Sequence, residues 1–245
     1  MNSTRELNLC GLAAVQARFT REPESIKRLF FDEANGRRLG AMCRALAVAK
    51  KIYRQVPAAE LEKISGTLHH GGVVCVVSSP ELGAPSAKDI AKWAAGRETI
   101  VVLDRIGNAH NLGAIARSAA FFGVSNIVIP AHASAALPGE AAHRVAEGGL
   151  EHVRVWRVAT LPMFLKALAA AGYETLGAAA HGGAALRRGS SARPLALVMG
   201  NEEHGLAPEV AKACSGLVTL AGSGRVESLN VSVASAVLLH ALIGK

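Results

Sequence analysis

Three glycine-bearing segments in the second half of the chain carry side chains suited to chemistry. The first runs from Asp104 to Ser118 and holds Asn111, Gly113 and Arg117. Gly113 and Arg117 are four residues apart and share a helix face, so the missing side chain lets a neighbour approach beside a guanidinium. The second is Met199-Gly200-Asn201-Glu202-Glu203-His204-Gly205, with two carboxylates between glycines. The third, Gly222-Ser223-Gly224-Arg225-Val226-Glu227-Ser228-Leu229-Asn230, ends on a hydroxyl and an amide at the expected start of a helix. An Asn just inside a helix costs propensity, which suggests a task for its side chain. Each segment also has a plainer reading. Asn111 and Asn230 suit helix capping, Arg117 suits a surface charge, and carboxylates suit the N-terminus of the helix expected after Pro208.

Each segment follows a short apolar run, at residues 100–103, 195–199 and 218–220. Such runs read as buried strands, and in open α/β sheets ligands bind beyond the carboxyl ends of strands. The spacing predicts strands over 99–103, 126–129, 174–180 and 195–199, and helices over 112–122, 161–171, 208–214 and 228–243. Strands alternating with helices imply a parallel sheet covered on both faces. Upstream, helices are predicted over 12–17, 38–54, 58–64 and 87–95, and strands over 26–31 and 73–77. Residues 79–86 are rich in Pro, Gly and Ser and read as a linker. Val231, Val233, Val237, Leu238 and Leu242 give the last helix an apolar surface, for a partner or for the core.

Several chemistries find no support. There is no G-x-G-x-x-G, no phosphate-binding P-loop, no H-E-x-x-H and no G-x-S-x-G elbow. The nine histidines show no ligand spacing, and Cys10, Cys43, Cys75 and Cys214 are scattered, so no metal is expected. Sparse cysteines suit a reducing compartment, and a cytoplasmic protein is expected. No apolar run approaches the roughly 20 residues needed to span a bilayer, and residues 1–6 lack the apolar core of a secretory signal.

The 245 residues include 27 Lys+Arg and 19 Asp+Glu, a net charge of +8. Of that excess, +6 falls before residue 98, whereas 17 of the 25 glycines fall after residue 97. A basic first part suits a polyanion, and glycine-rich turns suit a cofactor site. Aromatic residues make up only 4%, so RNA would be held through phosphate, sugar and shape more than by stacking.

Taken together, the three segments resemble the motifs of the SpoU/TrmH group of SPOUT RNA 2′-O-ribose methyltransferases. The first resembles that family's N-P-H-N-L-G-A-I-x-R motif, with Ala109 in place of Pro. The second resembles its G-x-E-x-x-G motif, with Glu203-His204 where Gly-Glu is common. The third resembles its S-L-N-V-S-V-A signature at residues 228–234. Residues 9–77 resemble the L30e-like substrate-binding module of the ribosomal-RNA branch, and residues 144–153 resemble a further segment of that branch.

The resemblance implies an α/β chain divided into an L30e-like RNA substrate-binding domain at 1–80, a linker at 81–97, and a SPOUT domain at 98–245. That last domain would contain a parallel sheet and a deep trefoil knot, an exception to the rule against threaded chains. It further implies S-adenosyl-L-methionine as cofactor, held around Met199, Gly200, Leu220 and Leu229. Asn111, Arg117, Glu202, Ser228 and Asn230 fall on the family's catalytic positions. RNA is the implied partner, as ribosomal RNA or an assembling large subunit, and the implied assembly is a homodimer, with no membrane or metal. The implied target is a guanosine of the large-subunit ribosomal RNA. A tRNA 2′-O-methyltransferase and a non-catalytic knotted RNA-binding or ribosome-assembly factor are the alternatives.

Overall fold

A computed structural model describes residues 6–79, 81–185 and 193–244. The start of the chain and Pro80, at the expected boundary after residue 80, lie outside the described residues. The chain opens with strand β1 (Glu6–Cys10), helix α1 (Leu12–Arg21), strand β2 (Ile26–Phe31), the single turn α2 (Glu33–Gly36) and helix α3 (Gly40–Val48). Strand β3 (Ile52–Gln55), helix α4 (Ala58–Ser65) and strand β4 (Val73–Ser78) follow. These strands form a four-stranded mixed sheet in the order β1-β4-β2-β3. Leu9, Ile26, Leu29, Val73, Cys75 and Val77 are fully buried in its core.

The helix predicted over 38–54 is corrected here. It stops at Val48 because Lys50 takes a left-handed backbone (φ 54°) and the chain reverses into β3, paired in parallel with β2. Ala-rich propensity runs past that turn, but pairing with β2 overrides it.

The second unit begins with helix α5 (Ala87–Ala95), entered through a capping box between Ser86 and Asp89. Strand β5 (Ile100–Leu103), helix α6 (Ala109–Phe121), strand β6 (Asn126–Pro130), helix α7 (Glu140–Ala146) and strand β7 (Arg154–Val158) come next. Then follow α8 (Leu161–Ala170), β8 (Glu174–Ala178), the short β9 (Ala184–Ala185), β10 (Leu195–Met199), α9 (Pro208–Ala213), β11 (Gly216–Thr219) and α10 (Val231–Ile243). The seven strands pair entirely in parallel, in the order β7-β6-β5-β10-β8-β11-β9.

Strand alternation divides this core in two. Val101, Leu103, Leu197 and Met199 face α6, α7 and α10, while Ile100, Val102, Ala196 and Val198 face α5, α8 and α9. Both faces are covered, as continuous apolar strands require. The two units meet where α1 and β1 lie against α7 and the 3₁₀ turn Gly149–Glu151. No helix among the described residues is long and apolar enough to cross a membrane. All four cysteines are free thiols, and burial pushes Cys75 up to about 12 and Cys10 and Cys214 up to about 11.

Candidate functional site

Strand β5 leads to β6 and β7 on one side and to β10 and β8 on the other. The carboxyl ends of β5 and β10 are therefore where a doubly covered sheet offers a site. Asp104, at the end of β5, is 2% exposed and organises it. Its carboxylate accepts hydrogen bonds from the Ala207 backbone N–H at 2.7 Å and from Arg105 Nε at 2.9 Å. That acidic partner raises the Arg105 guanidinium above its ordinary value. Motif matching did not single out Asp104. Its signal is a carboxylate directly after a buried strand.

The loop after β10 is closed by its own backbone and by one amide. Asn201 and Gly205 exchange two backbone hydrogen bonds, at 3.0 and 2.9 Å. Asn201 Oδ1 accepts from the N–H groups of Glu203 and His204, while its Nδ2 donates to the Arg105 carbonyl at 3.0 Å. A Cβ at Gly200 would lie 2.4 Å from the Gly205 carbonyl carbon, so only glycine lets this loop close. The unusual Glu203-His204 pair is thus held by its backbone N–H groups. Glu202, between these anchors, is left exposed with its carboxylate toward α6.

Helix α6 starts earlier than the expected residue 112. Asn108, not Asn111, is its N-cap and accepts from the His110 N–H at 2.8 Å. Asn111 is therefore freed from capping and lies in the first turn, half-buried, where its Nδ2 donates to Glu202 Oε1. Asn111 Oδ1 accepts from Asn230 Nδ2 at 3.2 Å. Asn230 is not inside the last helix, as expected, but caps it. Its Oδ1 accepts from the Ser232 N–H at 2.9 Å and from the Ser232 hydroxyl at 2.6 Å. Helix α10 packs along α6, which brings these two helix starts together.

Asn111, Glu202 and Asn230 therefore form one hydrogen-bonded chain, although they lie up to 119 residues apart in sequence. Ser228 is exposed two residues before Asn230 and makes no hydrogen bond to the chain among the described residues. Arg117 also stands apart. It lies about 9 Å further along α6, it is exposed, and its Nη2 pairs with Glu147 Oε2 at 3.0 Å. Of the expected cofactor positions, Met199 is 2% exposed and packs into the core, and Gly200 holds the loop closed. Leu220 is half-buried, while Leu229 is 47% exposed. Residues 221–230 are all exposed. Ala221, Gly222, Ser223 and Gly224, small and exposed, leave main chain accessible. This fits a ligand bound through backbone groups and one apolar face.

The apolar surface of α10 divides. Val231, Leu238 and Leu242 are buried in the core of this chain, whereas Val233 and Val237 are 48% and 41% exposed. Phe121, on α6, is 83% exposed. Among the described residues no three His, Cys, Asp or Glu side chains gather as a metal site would require.

Residues 98–240 match the model described as the SpoU rRNA Methylase family. Residues 9–83 match one described as RNA 2′-O ribose methyltransferase substrate binding. The chain is 36% identical over 235 residues to "Uncharacterized tRNA/rRNA methyltransferase YfiF" of Escherichia coli O157:H7, covering 96% of this chain and 67% of that protein. It is 31% identical over 240 residues to "23S rRNA (guanosine-2′-O-)-methyltransferase RlmB" of Nitrosomonas europaea, covering 96% of this chain and 90% of that one. In fold it resembles an AdoMet-bound rRNA methyltransferase from Sinorhizobium meliloti, with a TM-score of 0.80 at 24% identity over 98% of this chain and 87% of that one.

Proposed function

The chain belongs to the SpoU rRNA Methylase family, and we propose that it methylates a ribose 2′-hydroxyl of RNA with S-adenosyl-L-methionine, its target a guanosine of large-subunit ribosomal RNA. The observation that carries this reading is the hydrogen-bonded chain of Asn111, Glu202 and Asn230 at the ends of β5 and β10. It gathers one residue from each of three family motifs at the place where such sheets bind ligands. The RlmB of Nitrosomonas europaea, with its comparable length, supports the guanosine target.

The cofactor would lie against the exposed backbone of residues 221–224 and the side chains of Leu220 and Leu229, beside the glycine-closed loop at Gly200. Bound there, it supplies an electrophilic methyl group on a sulfonium. The protein's task is then to orient the ribose and stabilise its oxygen. A guanidinium stays protonated, so as the 2′-oxygen takes the methyl its proton passes to water rather than to Arg117. Its planar fork stabilises negative charge growing on the 2′-oxygen and grips the neighbouring phosphate. Asn111, Glu202, Ser228 and Asn230 orient the ribose, where misplacement by about 1 Å costs on the order of a hundredfold in rate.

A trefoil knot formed by the C-terminal loops and α10 would hold the site. A homodimer through α6 and α10 would cover Phe121, Val233 and Val237, which are otherwise exposed apolar side chains. Light scattering at working concentration gives twice the mass of one chain if this is right, and one chain's mass if it is not. For the substrate, 2′-O-methylation is mapped across all RNA of a deletion strain and its parent. Loss at one large-subunit guanosine supports the target; an unchanged map contradicts it.

A further inference from the structure

We propose that Glu147 is a positioning residue for Arg117, and that residues 147–151 form a strut through which the N-terminal unit sets that arginine. The inference rests on the methyl-transfer reading above. Gly113 permits the arrangement. A Cβ there would lie 2.4 Å from the Ala142 carbonyl oxygen, so glycine alone lets α7 press against α6. One helical turn on, Arg117 meets the residue that ends α7. That residue, Glu147, holds a left-handed backbone (φ 44°), a conformation costly for a side chain with a Cβ. Its carboxylate pairs with Arg117 Nη2 at 3.0 Å.

The next residues are gripped from both sides. Gly148 (φ 92°) passes Ala14 of α1 so closely that a Cβ would touch its Cα at 3.4 Å. Gly149 lies against α6, where a Cβ would sit 2.7 Å from the Cα of Arg117 itself. Glu151 then closes the strut. It is 4% exposed, accepts a hydrogen bond from Arg18 Nη2 of α1 at 3.1 Å, and pairs with His143 Nδ1 of α7 at 3.2 Å. The Glu151 backbone carbonyl also accepts from Arg21 Nη1. The strut therefore contacts α1 at Ala14, Arg18 and Arg21, and α6 at the side chain and backbone of Arg117.

The consequence is geometric. Held by Glu147 at one nitrogen, the guanidinium keeps its remaining donors in a fixed plane for ribose and phosphate, rather than sampling many rotamers. The N-terminal unit would then act on turnover as well as on RNA capture.

The test uses the full chain, S-adenosyl-L-methionine with a labelled methyl group, and unmethylated ribosomal RNA from a deletion strain. Wild type, Glu147→Gln, Arg117→Ala, Arg18→Lys and the double variants with Glu147→Gln are compared by kcat, RNA KM and filter binding of RNA without cofactor. Glu147→Gln is expected to lower kcat about tenfold while leaving RNA KM and binding within about twofold. It is expected to add no further loss to Arg117→Ala, as a residue acting through another must. Arg18→Lys, which keeps charge but loses the fork on Glu151, is expected to lower kcat about threefold in wild type and not in Glu147→Gln. Wild-type kcat in Glu147→Gln, or losses that multiply in the double variants, would overturn the proposal. Absence of methyl transfer by wild type would overturn the methyl-transfer reading and this inference with it.

Discussion

The two halves of α6 carry the two parts of the candidate site, and they are held in different ways. Asn111, in the first turn, is fixed by partners from the same sheet, Glu202 after β10 and Asn230 before α10. Arg117, six residues on, owes its partner to α7, and the loop that presents that partner is clamped by α1 of the other unit. The first half depends only on how the parallel sheet ends. The second depends on how two units dock. Under the roles proposed above, that division would let the reacting sugar meet a fixed cofactor site while Arg117 follows the substrate-binding unit.

The largest expected contrast comes from the arginine. Arg117→Ala should lower kcat on the order of a hundredfold or more, with an unchanged melting temperature because the side chain is exposed. Arg117→Lys should recover little, and near-wild-type transfer by it would remove the fork geometry from the account. In the other half, Asn111→Ala breaks both links of the hydrogen-bonded chain. Its kcat should fall about tenfold or more, read in the same assay.

Stability predictions separate the halves again. Glu151→Gln leaves the buried Arg18 only Glu22, at 2.8 Å, as an acidic partner and should destabilise the protein by about 3 kcal/mol, read by denaturant unfolding. Burial acts to raise the Glu151 carboxyl, but hydrogen bonds from His143 and Arg18 outweigh it and hold the group below its ordinary value. A depressed folded pKa gives stability that is present above the ordinary value of 4.5 and lost as pH falls through the folded one. The gap between wild type and Glu151→Gln should therefore narrow in acid below that range; a constant gap would deny the charge its role. The smallest effect is expected from Asn230→Ser, which keeps a capping oxygen but loses the amide donor to Asn111. It should cost less than about 1 kcal/mol in unfolding while still slowing transfer.

Much of this was legible in the sequence because burial and motif coincide. Runs such as Ile100–Leu103 and Leu195–Met199 are apolar on both faces, so they read as central parallel strands, and the glycine-rich segments after them stood out. Elements near polar interfaces were harder to read. Strand β7 has Arg154 and Arg157 exposed between buried Val155, Trp156 and Val158, and α7 is only 7 residues long. Strand β1 hides in 5 residues whose alternation, with Leu7 and Leu9 inward, is too brief to separate from a loop. Asn230 reads either as a helix-interior residue or as a cap, because the helix propensity of its neighbours does not mark where the helix begins.

Glu147 and Glu151 had no signal of their own. Glu151 gains its meaning from Arg18, 133 residues earlier, and no periodicity reports a contact across that separation. Glu147 is set by a left-handed turn that a glutamate does not announce. The resemblance noted for residues 144–153 marked the segment without giving it a task.

The central claim is that this chain moves a methyl group to a ribose oxygen, using the two halves of α6 together. Its most direct test is labelled methyl transfer from S-adenosyl-L-methionine to unmethylated large-subunit ribosomal RNA, followed by digestion to nucleosides. The account predicts label in 2′-O-methylguanosine with wild type and on the order of a hundredfold less with Arg117→Ala. Label on a base, or an RNA that stays unlabelled with wild type, would contradict it.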